Sequence, residues 1–96
     1  MKNRQEILSE LSAAKPDLQR DFKVERLALF GSYARNEQTT YSDVDILVEV
    51  DPSIGMEFIT LAEKLEERLG LQVDLVSKRG VKPNRWAVIE HELIYV

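Results

Sequence analysis

Residues 24–50 read VERLALFGSYARNEQTTYSDVDILVEV, and this stretch sets the fold. VERLALFG (24–31) carries Leu27, Leu29 and Phe30 and stops at Gly31, which predicts a first strand. SYARNEQTTYS is polar and turn-like after a single helical turn. DVDILVEV (43–50) is the strongest strand signal, with Val44, Ile46, Val48 and Val50 on one face, and Asp51-Pro52 closes it.

Outward from that stretch the pattern turns helical. Residues 4–14 predict an amphipathic helix with Ile7, Leu8 and Leu11 inside. Pro16 interrupts it, and Leu18 and Phe22 carry the apolar face into a second short helix. Gly55 to Leu69 predicts a longer helix with Phe58, Ile59, Ala62, Leu65 and Leu69 inside, ended at Gly70. LQVDLV (71–76) is a third strand. Pro83 suits the first turn of a last helix carrying Trp86 and Ile89, and LIYV closes the chain as a short edge strand. The expected fold is α+β, a small mixed β-sheet with helices packed on one face, formed by residues 1–96 as one domain.

Three carboxylates interrupt these apolar strands: Asp43, Asp45 and Asp74. Side chains alternate along a strand, so Asp43 and Asp45 share a face, ~7 Å apart along the backbone. If the second and third strands are neighbours, all three converge, and unpaired anions so placed are costly. A divalent cation resolves that conflict, and all-oxygen ligands favour Mg²⁺ or Mn²⁺ over zinc. Upstream, Gly31-Ser32 ends a strand where a helical turn begins. Glycine admits a phosphate to the backbone, the helix start offers free N–H groups, and serine adds a hydroxyl. By itself a Gly-Ser pair is a turn, and Asp-x-Asp on a strand is a solvated edge. Their joint spacing carries the reading.

Gly31-Ser32, ten intervening residues, then Asp43-Val44-Asp45 resembles the GS-x10-D-x-D signature of polymerase-beta-like nucleotidyltransferases. The string GSYARNEQTTYSDVDILVEV is similar to the minimal nucleotidyltransferase branch, whose pattern reads GSxARG…SDxDLxV. Asn36 stands where glycine is common, a mild departure because asparagine tolerates a left-handed backbone. The resemblance implies that Asp43, Asp45 and Asp74 are the catalytic, metal-holding carboxylates, with Asp74 also activating the attacking hydroxyl. It implies that Gly31 and Ser32 hold the β- and γ-phosphates. Arg35 is a further candidate for the triphosphate, set against a structural pair with one of the aspartates. Many members of the branch are antitoxins paired with a HEPN-domain toxin, and some transfer AMP from ATP to a toxin tyrosine. The resemblance therefore implies an Mg²⁺-dependent protein adenylyltransferase with ATP as donor.

Composition agrees. Thirteen basic and seventeen acidic residues leave a net charge of −4, which argues against direct duplex nucleic-acid binding. No apolar run approaches the ~20 residues of a membrane span, no signal peptide is visible, and cysteine is absent, all fitting a cytoplasmic chain. In 96 residues there is no room for a domain that grips a second substrate, so a protein partner supplies the acceptor surface, in an oligomer or hetero-oligomer. The rivals are an antitoxin that neutralises by binding alone and a small-molecule nucleotidyltransferase. Lys78, Arg79, Lys82 and Arg85 form a basic cluster that suits either a solvated face or contact with a partner or phosphate. Trp86 reads as core, His91 as surface and Ser42 as a turn residue.

Overall fold

The computed structural model describes residues 2–96, and its first helix begins at a reciprocal cap. Asn3 Oδ1 accepts from the Glu6 amide at 2.8 Å while Glu6 Oε1 accepts from the Asn3 amide at 3.2 Å. Helix α1 then runs unbroken over Arg4–Phe22 and ends at Lys23, whose φ of 57° is left-handed. The expected break at Pro16 does not occur. Ile7, Leu11, Ala14, Leu18 and Phe22 form one continuous buried stripe, and Pro16 lies on the exposed side. There the lost amide bond leaves a carbonyl to water, and burial of the stripe outweighs the proline penalty.

Strands β1 (Val24–Phe30), β2 (Val44–Val50), β3 (Val73–Ser77) and β4 (Ile94–Tyr95) form one sheet in the order β3-β2-β1-β4. The sheet is mixed: β1 runs antiparallel to both β2 and β4, whereas β2 and β3 are parallel. The parallel pair needs a crossover, supplied by α3 (Glu57–Leu69), which ends at Gly70 with φ 68°. Its inward stripe is Leu61, Leu65 and Leu69, with Phe58 half-buried. Ile59, expected inside, is 57% exposed, because a stripe centred on Leu61 and Leu65 turns Ile59 to the flank.

Alternation along the strands separates two apolar layers. Leu27, Leu29, Val44, Ile46, Val48 and Val50 pack with α1 and α3 in the main core. Ala28, Phe30 and Leu47 point the other way, where Ile89 and half-buried Trp86 from α4 (Pro83–Ile89) cover them. The two long helices share one face, as the pattern predicts. The short α4 rests on the opposite face and leaves that face's end, where β2 and β3 begin, uncovered by a long helix.

Candidate active site

At that end Phe30, Asp45 and Asp74 form one row across three strands, Phe30 opposite Asp45 and Asp45 opposite Asp74. The condition for convergence, adjacent second and third strands, is met. Asp43 stands just before β2 and is exposed, Asp45 is half-buried, and Asp74 is exposed on the edge strand. Asp45's carboxyl is pushed up to about 6, first by burial, then by the negative charge of Asp74 and a hydrogen bond shared with it, and also by Asp43. Arg85, brought over by α4, works in the opposite direction.

After Phe30 the chain turns directly into α2 (Gly31–Ala34), a single turn anchored by Tyr33, which is only 1% exposed. Arg4 Nη1 donates to the Ala34 carbonyl at 3.0 Å and ties α1 to the end of α2. Gly31 has φ +76°, and a Cβ built there would lie 2.0 Å from Asp45 Oδ2 and 3.0 Å from Asp45 Cβ. Only glycine fits, for both reasons. Ser32 follows, half-buried, at the second position of the turn. Asn36 adopts φ 60°, the left-handed conformation that made it an acceptable stand-in for glycine. Ser42 closes the next loop, its Oγ accepting from the Thr39 amide at 2.9 Å.

Arg35 does not pair with an aspartate. Its Nη1 donates to Glu92 Oε1 at 2.7 Å and its Nε lies 3.5 Å from Glu37 Oε2. Those contacts, Glu92's hydrogen bond above all, raise the Arg35 guanidinium above its ordinary value. Glu92 Oε2 also accepts from the Gly31 amide at 3.1 Å. Glu92 was not singled out in the sequence, and no local pattern marks it, because it reaches the turn from 61 positions away. In the basic cluster, Lys78 approaches Glu49 at 3.8 Å and lies 5.1 Å over the Trp86 ring, while Arg79, Lys82 and Arg85 are exposed. His91 is exposed, as expected.

Among the described residues, no three His, Cys, Asp or Glu side chains are gathered into a ready-made cation cage. The donor set nevertheless suits Mg²⁺, which takes one or two carboxylates and completes its shell with water and substrate phosphates. Burial first, and then the charges of Asp74 and Asp43, hold the Asp45 carboxyl above its ordinary value, an environment that a bound cation would relieve.

A family model described as nucleotidyltransferase domain matches residues 11–96. The chain belongs to the nucleotidyltransferase domain family. Protein adenylyltransferase MntA of Thermococcus cleftensis is 45% identical to this nucleotidyltransferase, over 96% of the chain and 94% of that relative. A solved structure provisionally described as a minimal nucleotidyltransferase superposes with a TM-score of 0.81 at 30% identity, over 97% of this chain and 95% of that one. A tri-AMPylated Shewanella oneidensis HEPN toxin in complex with its MNT antitoxin gives a TM-score of 0.61 at 28% identity, over 96% of this chain and 70% of the matched one. No helix among the described residues of this nucleotidyltransferase is long and apolar enough to cross a membrane.

The carboxylate row has a cost that pH exposes. Folding raises the Asp45 pKa from 3.8 to about 6, so the folded chain holds that proton more tightly than the unfolded chain does. The associated stability is full below pH ~4 and is lost as pH rises through about 6. Asp45→Asn should therefore flatten this decline and melt above the unmodified protein at pH 8, by roughly 4–8 °C per kcal/mol relieved. Mg²⁺ should raise the melting temperature of the unmodified protein at pH 8 more than that of the variant. A variant that melts lower at pH 8 contradicts the electrostatic account.

Proposed function

We propose that this chain, acting as a single nucleotidyltransferase domain in the cytoplasm, moves AMP from Mg²⁺-ATP to a hydroxyl of a partner protein. The observation that carries the reading is the juxtaposition of the Gly31-Ser32 turn with the Asp45–Asp74 row. Asp43, Asp45 and Asp74 are the residues to hold Mg²⁺, with Mn²⁺ an acceptable replacement. When bound, the ion neutralises the triphosphate and makes the α-phosphorus more electrophilic. Gly31 and Ser32 hold the β- and γ-phosphates, and Arg35 offers its remaining N–H groups to them.

Asp74, exposed at the sheet edge, accepts the proton of the incoming hydroxyl. The acceptor oxygen bonds to the α-phosphorus, the bond to the β-phosphate oxygen breaks, and pyrophosphate leaves. The likeness to a nucleotidyltransferase held against an AMPylated HEPN toxin supports a HEPN-domain toxin as partner and antitoxin activity as the role. Tyrosine is the favoured acceptor, since a phenol with pKa near 10 loses its proton more readily than an aliphatic alcohol. Docking places that hydroxyl in line and removes much of the entropic barrier.

Incubation with the cognate partner and Mg²⁺-ATP should add ~329 Da, one adenylyl group, to a partner tyrosine by mass spectrometry. A partner that is neutralised without any mass change would replace this reading with neutralisation by binding alone.

A further inference from the structure

Helix α2 carries no cap of its own. Phe30, at the N-cap, offers no side-chain acceptor, and Gly31 sits at φ +76° with no Cβ to restrain the preceding peptide. The cap comes instead from the far end of the chain. Glu92, in the turn between α4 and β4, accepts from the Gly31 amide at 3.1 Å through one oxygen and from Arg35 Nη1 at 2.7 Å through the other. Its side chain is 21% exposed, against 42% for Arg35, so the more sheltered partner fixes the freer one.

From this geometry we infer that Glu92 is the positioning residue of the phosphate-binding turn, orienting the Gly31 peptide and aiming the Arg35 guanidinium. This rests on the proposed role of Gly31, Ser32 and Arg35 in holding the triphosphate. Glu92 touches no phosphate itself. With the Gly31 N–H engaged by Glu92, Gly31 contributes close approach to the backbone rather than a donor, and the Ser32 hydroxyl is left to the phosphate. A guanidinium has five N–H groups in a rigid fork. Glu92 occupies Nη1 and Glu37 approaches Nε, leaving Nη2 for phosphate. Glu92 also couples the site to β4: the residues after it pair with β1, so the edge strand and the nucleotide turn are held as one unit.

Two variants separate the parts of this role. Glu92→Gln keeps an oxygen for the Gly31 amide and loses the charge on Arg35, whereas Glu92→Ala loses both. The KM for Mg²⁺-ATP should rise about tenfold to a hundredfold in Glu92→Ala and less in Glu92→Gln, in line with the loss of charge-assisted hydrogen bonds. The KM for the partner protein should stay within about twofold, a split that general loosening of the fold would not produce. Should Glu92→Ala fail to fold, Glu92→Gln and the ¹⁵N-detected Gly31 amide resonance carry the test: the amide proton should shift little in Glu92→Gln while ATP affinity still falls. An unchanged ATP KM in a folded Glu92→Ala overturns the inference, as does tighter ATP binding, which would make the carboxylate a competitor of the phosphate. Asp45→Asn run in parallel keeps the two claims apart. If it weakens ATP binding and Glu92→Ala does not, the site assignment stands and the positioning role falls. If the unmodified protein binds no Mg²⁺-ATP, both fall.

Discussion

Asp45→Asn should lower adenylyl transfer by at least 10²–10³-fold, roughly the loss seen when a group stabilising transition-state charge is removed. Asp45 is the most sheltered of the three aspartates and stands at the centre of the row, opposite both Phe30 and Asp74. Asparagine preserves its shape, so the Gly31 contact survives and only charge is lost. Without that charge the row holds a divalent cation poorly, and the triphosphate meets Asp43 and Asp74 with less compensation. The same change should stabilise the free protein at pH 8, for the reason given by its elevated pKa. Single-turnover transfer measured beside thermal melting checks both halves. A variant that transfers within tenfold of the unmodified rate removes Asp45 from the centre of the site.

Gly31→Ala should have the second largest effect, through two separate penalties. An alanine at φ +76° costs about 1–2 kcal/mol. Its Cβ would also lie 2.8 Å from Asp45 Cγ and 3.0 Å from Asp45 Cβ, so more than the tip of the side chain must move. The expected result is a protein destabilised by about 2 kcal/mol or more, with almost no transfer, since the displaced group is the central carboxylate. Removing the carboxylate should relieve part of the penalty. In an Asp45→Ala background Gly31→Ala should cost less, with a coupling of about 0.5–3 kcal/mol in a double-mutant cycle. Strict additivity would mean that the two residues do not press on each other.

The strands were readable because their core-facing side chains recur at every second position, Leu27 and Leu29 on β1 and Val44, Ile46, Val48 and Val50 on β2. The carboxylates were readable because Asp45 and Asp74 interrupt neighbouring apolar strands and Asp43 stands two positions before Asp45. Pro16 reads as a break because it is a local breaker, whereas the burial that keeps the stripe from Ile7 to Phe22 on one continuous helix is a property of the whole fold. Ile59 misled because the face of α3 is set by the sheet beneath it, which a helical pattern alone does not orient. Glu92 was invisible for a related reason. A glutamate in EHEL has no local signature, and its role arises only when β4 folds back beside β1 and brings the preceding turn to Gly31.

The most direct measurement uses ATP labelled separately at the α- and the γ-phosphate, supplied with Mg²⁺ and the proposed partner, a purified HEPN-domain protein. Transfer of the adenylyl group predicts that the partner retains the α-label and none of the γ-label, with one pyrophosphate released for each adenylyl group gained. Asp45→Asn should leave the partner unlabelled from either nucleotide. Label arriving from the γ-phosphate, or α-label appearing equally with Asp45→Asn, would contradict the account.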